Sequence, residues 1–236
     1  MRQELDFNPF DQYKGRGPDS RQRFVKWFHN NRLSDFADWV EPGNRLLSVG
    51  SGNAELEAKV LREKFDTIYT LEIRRDRCKI ADEKNLESIQ GSAPPLPFVE
   101  DAFDAIVAAG TIEHLPDERG FLEEVSRCLR PDGKIYLTAP VEVGIGGLLR
   151  HLGKNFVHPD RPDSPEGIRR YWDYSAEELF KLTPRKKHGM EHRYYNYIYL
   201  INDIKDIFSD IMIQGWPIKS LGILNLILYV KATLPE

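Results

Sequence analysis

The sequence predicts an α/β chain built on a mainly parallel β-sheet, with an antiparallel hairpin at its C-terminal end. Two observations carry this. From Arg45 to Ala139 short apolar runs alternate with helical stretches, the pattern of βαβ units. The tail then holds two further β-rich runs separated by a turn-bearing stretch, most simply a hairpin on the sheet edge. Composition agrees: 236 residues with 41% hydrophobic and 30% charged side chains give one full core and exclude a disordered or fibrous chain.

Segment 19–40 opens with Asp19 and Ser20 as candidate caps and places Phe24, Trp27, Phe28, Phe36, Trp39 and Val40 toward one helical face. It is read as an amphipathic helix packed on the rest. Residues 1–18 hold Pro9, Gly15, Gly17 and Pro18 among Phe7, Phe10 and Tyr13, a turn-rich arm that either frays or folds over a site. Residues 1–40 thus form an N-terminal arm and helix, and 41–236 the main domain.

Within that domain RLLSV is the first strand, followed by a helix near 53–64, TIYTL, a helix near 75–86, and SIQ. DAIVAAG reads as a fully buried strand, a helix at about 117–130 is ended by Pro131 and Gly133, and KIYLTA is the fifth strand. From about 140 to 205 the beat fails among glycines and prolines, with Ser175 and Glu178 forming a capping box, so this stretch is an insertion on the sheet's rim. DIMIQGWPI and LNLILYVKA, joined around Lys219 to Gly222, bring the sheet to seven strands.

Residues 46–54, LLSVGSGNA, run an apolar strand into Gly50-Ser51-Gly52 with a helix directly after. Glycines there allow a sharp turn and close approach to a ligand, and the helix start favours negative charge. Twenty residues beyond Gly52 stands Glu72, at the end of the second strand, where a carboxylate accepts hydrogen bonds from both hydroxyls of a ribose. Together they indicate an adenosine-containing ligand. A nicotinamide dinucleotide fits poorly, because its fingerprint needs a small residue where this chain has Glu55.

Several segments in order resemble the class I S-adenosylmethionine-dependent methyltransferases, over roughly residues 40–140 and the terminal hairpin. LLSVGSGNAELE is similar to the family's first motif, Glu72 to its ribose-binding acid, and IQGSAPPLPFVEDAFDAIV to its segment before and into the fourth strand. AAGTIEHLPD resembles the family's motif after the fourth strand, and LRPDGKIYLTAP its approach to and body of the fifth. The LPF, EHL and LRPDG elements resemble the small-molecule branch called type 11. The resemblance implies a Rossmann-like fold and S-adenosyl-L-methionine as methyl donor, held by Gly50, Ser51, Gly52, Glu72, Ile73, Ser92, Ala93, Ala109 and Gly110. It also implies a small-molecule or lipid-linked acceptor. The chain departs from the pattern at Ser48, where the family has an acid that helps hold the loop, at Ala54 for a third glycine, and at Ser92 for an aspartate. Those departures keep open the alternative of a noncatalytic donor-binding or regulatory protein of the same fold.

Methyl transfer from a sulfonium needs positioning above all, with a general base helpful for an oxygen or nitrogen acceptor. Glu113 and His114, just beyond the fourth strand, are the best-placed titratable pair; their bland reading is helix-start structure. His151 and His158 match no strong zinc spacing, so no metal is expected. Tyr194, Tyr195, Tyr197 and Tyr199 are read first as core packing, and otherwise as a stacking platform.

A net charge of −4 lacks the basic excess of a dedicated nucleic-acid binder. Local basic groups at 150–170 and 185–193, among them Arg150, Lys154, Arg161, Lys186 and Lys187, are read either as a solvated face or as a site for an anionic acceptor. Two cysteines fifty positions apart, no apolar signal core and no transmembrane stretch predict a cytoplasmic protein.

Overall fold

The computed structural model describes residues 20–142, 146–149, 152, 195–219 and 225–235. In chain order these form α1 (Ser20–Trp39), β1 (Gly43–Val49), α2 (Glu55–Lys59), β2 (Phe65–Glu72), α3 (Arg75–Glu83), β3 (Glu87–Gln90), β4 (Phe103–Ala109), α4 (Glu118–Cys128), β5 (Leu129–Pro140), α5 (Tyr197–Ile207), β6 (Ser209–Trp216) and β7 (Ile227–Thr233). The strands make one seven-stranded sheet in the order β3-β2-β1-β4-β5-β7-β6. The first five are parallel, and β7 runs antiparallel between β5 and β6. Alternate residues of each strand feed two cores. Leu46, Ile68, Val107 and Tyr229 pack with Phe36, Val40, Leu56 and Ala81 from the α1 to α3 side, while Leu47, Ile106, Leu137 and Val230 pack with Phe121, Val125, Leu200 and Ile204 of α4 and α5.

The expected N-terminal helix is present and docks into the sheet. Phe36 is fully buried, the Trp216 indole donates to the Asp35 carboxylate at 2.9 Å, and the Tyr229 hydroxyl donates to the carbonyl of Arg32 at 2.7 Å. Trp27 departs from the expected face and is exposed. It lies nine residues from Phe36, about two and a half turns, which puts it on the opposite side of the helix.

The helix expected near 53–64 is shorter. Ala54 sits at φ 52°, outside the right-handed helical region, and Val60 breaks the far end, after which Leu61–Glu63 make a single 3-10 turn. Lys64 then reaches back to the carbonyls of Ala37 and Val40 at 2.7 and 2.8 Å, fastening this turn to α1. Pro131 and Gly133 do not lie beyond a helix end in free loop: β5 starts at Leu129, and its register to β4 jumps from Phe103↔Leu129 to Ala105↔Lys134. Pro131, with no N–H to give to a ladder, falls in that irregularity. The Asp104 carboxylate gathers the surroundings, accepting from the backbone of Asn44 and Arg45 and from Arg130.

Tyr195, just before α5, and Tyr197, its first residue, are buried in the core, so this part of the tyrosine run serves packing. Arg119 of α4 bonds Asp203 and Asp206 of α5 at 3.2 and 3.0 Å. Among the described residues no helix is long and apolar enough to cross a membrane, and Cys78 and Cys128 are free and buried. The arm at 1–18, the Asp19 cap, the Ser175/Glu178 helix, Tyr194, His151, His158 and the basic groups at 150–170 and 185–193 lie outside the described residues.

Candidate functional site

Order reverses in the sheet between β1 and β4, and ligands of such sheets bind in the crevice this opens beyond the strands' carboxyl ends. The glycine loop stands there. Gly50 has φ +71° and donates its N–H to the Leu71 carbonyl at 2.8 Å. A Cβ at Gly50 would overlap the Thr111 hydroxyl oxygen, and that hydroxyl donates to the Val49 carbonyl at 2.9 Å. Conformation and contact both require glycine here, and the Thr111 bond stitches the β4 rim to the β1 loop.

Glu72 is 4% exposed at the end of β2. One oxygen accepts from the Gly52 N–H and the other from the Arg74 N–H, each at 3.0 Å, and the Arg77 guanidinium stands 3.8 Å away. A carboxylate has about four acceptor positions, so about two remain, one on each oxygen, suited to a vicinal diol. The next residue, Ile73, is 65% exposed, an apolar surface just beyond the carboxyl end of β2. Beyond β3 the chain is tied in by Gly91, whose N–H donates to the Glu72 carbonyl at 3.0 Å; Ser92 after it is exposed and Ala93 is buried.

At the β4 rim Ala109 and Gly110 are half-buried, and the Gly110 N–H donates to the Thr138 hydroxyl at 2.8 Å. Glu113 and His114 share a single 3-10 turn, Ile112–His114, and diverge: Glu113 is 7% exposed and His114 is exposed. A Cβ built on Gly110 would stand 4.0 Å from a Glu113 oxygen and 3.9 Å from the Arg32 guanidinium of α1. The other Glu113 oxygen is buried with no hydrogen-bond partner among the described residues. A carboxyl and a guanidinium therefore flank Gly110. No sequence signal marks Arg32, whose place depends on how α1 docks. Among the described residues no cluster of potential metal ligands occurs.

Ser48, at the position of the missing acid, is paired with one. Its hydroxyl donates to Glu57 of α2 at 2.5 Å, and both side chains are buried. Burial pushes the Glu57 carboxyl up to about 7, against the opposing pull of the Ser48 hydrogen bond and of Lys84. The available signal for Glu57 is an acidic residue in an otherwise apolar helical stripe with Leu56 and Leu61, nine positions after Ser48.

A methyltransferase-domain family model matches residues 47–137. An uncharacterized methyltransferase of Bacillus subtilis, YcgJ, is 30% identical over 120 residues, covering 47% of each chain. A demethylmenaquinone methyltransferase of Listeria welshimeri is 35% identical over 105 residues, 41% of this chain and 44% of its own. This chain spans about half the length of these curated relatives. Among solved structures, a Pyrococcus horikoshii protein superposes with TM-score 0.60 at 17% identity, over 92% of this chain and 93% of that one. A SAM-dependent methyltransferase of Thermotoga maritima gives 0.56 at 17%, over 90% and 95%; at such identities the likeness concerns the fold.

Proposed function

We propose that this chain, whose residues 47–137 match a methyltransferase-domain model, is a class I S-adenosylmethionine-dependent methyltransferase that transfers the donor's methyl group to a small-molecule or lipid-linked acceptor. The observation that carries the reading is the Glu72 carboxylate, anchored on the Gly52 and Arg74 backbone with one acceptor position left on each oxygen for the two ribose hydroxyls. Gly50, Ser51 and Gly52 bring backbone close to the donor. Ile73 offers an apolar face to its adenine, and Ser92 and Ala93 close that end, Ser92 with a hydroxyl where an aspartate would bring charge. Ala109 and Gly110 leave room beside the reacting end.

The donor supplies a methyl group on a positively charged sulfur, already activated for in-line displacement. The chain's part is to orient it and the acceptor and to keep water out. Glu113, buried beside Gly110, has an oxygen with no hydrogen-bond partner among the described residues, which supports reading it as the group that takes a proton from an oxygen or nitrogen acceptor. His114, on the same turn, is exposed and stands on the solvent side of it.

Relatives named demethylmenaquinone methyltransferase support a ring-bearing, lipid-linked acceptor. The test is transfer of labelled methyl from S-adenosylmethionine to a panel of isoprenoid quinols and of small carboxylated or phosphorylated molecules. Label in a quinol, lost in Glu113→Gln, is the expected result. No label in any acceptor, with the donor bound, would favour the noncatalytic alternative.

A further inference from the structure

We propose that Glu57 is the positioning residue of the donor loop: a carboxyl that α2 returns to the end of β1, where it meets the Ser48 hydroxyl and fixes the path of the loop between them. This role rests on the reading of that loop as the donor site. Two sides of the loop are held by other groups, and its far end calls for such a tether. Its near end is held by Thr111, which bonds Val49, and its outer side by Lys84, which bonds the Asn53 carbonyl. Its far end enters a helix of only five residues through Ala54, at φ 52° and with no side-chain cap among the described residues. The Ser48–Glu57 bond spans that gap on the inner side, linking residues nine positions apart across the glycines.

The pair is also costly in a way that packing does not explain. Glu57 is 2% exposed and its second oxygen has no hydrogen-bond partner among the described residues; the same holds for the buried hydroxyl of Thr70, register neighbour of Ser48. An apolar side chain would fill the space without burying a carboxyl, but it would not set a distance between strand and helix. The Gly52 N–H reaches Glu72 only if the loop keeps that path. The charged groups acting on Glu57 are Lys84, just past α3, which favours its ionised form, and Glu55 on α2, which opposes it. The loop-holding carboxyl is thus supplied from the helix instead of the strand, and Ser48 is its partner.

The test compares the whole protein with Glu57→Ala, Glu57→Gln and the exchange Ser48→Asp with Glu57→Ser, measuring amide hydrogen exchange at Gly52 and Ala54 and S-adenosylhomocysteine affinity by calorimetry. Glu57→Ala should speed exchange at Gly52 about tenfold, leave Ile106 in β4 unchanged, and weaken binding about tenfold. Glu57→Gln, which keeps an oxygen for the Ser48 hydroxyl, and the exchanged pair should both return to within about threefold of the native values. Native exchange and affinity in Glu57→Ala would overturn the role, and so would an exchanged pair no better than Glu57→Ala. If Glu57→Ala fails to fold, the exchanged pair decides alone. A native protein that binds no S-adenosylhomocysteine refutes the donor reading instead, and exchange at Gly52, which needs no ligand, still decides the tether.

Discussion

At the scale of single residues, the site is defined by where polar and conformational demands coincide. Gly50 combines a left-handed backbone with the Thr111 hydroxyl standing where a Cβ would go. Gly50→Ala should cost about 2 kcal/mol or more, because strain and overlap add. In a chain of this size that lowers the melting temperature by roughly 4–8 °C, and a change under about 1 °C would contradict the geometry. Glu57 makes a pH prediction. Its folded pKa, about 7, lies above the ordinary value of 4.5, so the neutral carboxyl contributes fully at low pH and that stability is lost as pH rises through 7. Between about pH 5 and pH 8 the loss should be on the order of 2–3 kcal/mol, absent in Glu57→Gln. Denaturant titration of both proteins at the two pH values checks it, and an equal pH dependence in the two would rule out a neutral buried carboxyl. Neither the Ser48–Glu57 pair nor the approach of Arg32 to Gly110 is legible as a contact in the sequence. Each depends on the angle at which a helix meets the sheet.

At the scale of elements, the strands are legible because their buried runs and the turns between them are local signals, and β1 to β5 fall where those runs stand. Helix lengths are less so. Nothing in the spacing of 53–64 marks Ala54 as left-handed or Val60 as a break, since both conformations answer to how tightly the chain turns between β1 and β2. On α1 the apolar spacing places Phe36 and Val40 on the buried face and misplaces Trp27, because grouping aromatic residues obscures a half-turn offset. The helix is a structural part of the sheet's cover, held by Phe36, by Asp35 on Trp216 and by Tyr229 on the Arg32 carbonyl. Phe36→Ala should cost about 3–5 kcal/mol by global unfolding. A cost below about 1 kcal/mol would mean that α1 is not part of the cooperative fold.

At the scale of the whole molecule, the sheet order brings together groups far apart in sequence: the loop after β1, the acid ending β2 and the turn after β4 meet at the crevice between β1 and β4. That convergence is legible in outline, since strand, glycine loop and acid stand at telling intervals. The acceptor is not, because a specificity loop carries no periodicity that ties its residues to a ligand. The activity proposed for the chain depends on the donor site, and calorimetric titration with S-adenosylhomocysteine and with NAD, on the native protein and on Glu72→Ala, tests that site most directly. The expected result is one S-adenosylhomocysteine per native chain, no heat with NAD, and affinity about tenfold to a hundredfold weaker in Glu72→Ala, as losing a charge-assisted contact of about 1.5–3 kcal/mol requires. No binding to the native protein, or equal affinity in Glu72→Ala, would contradict it.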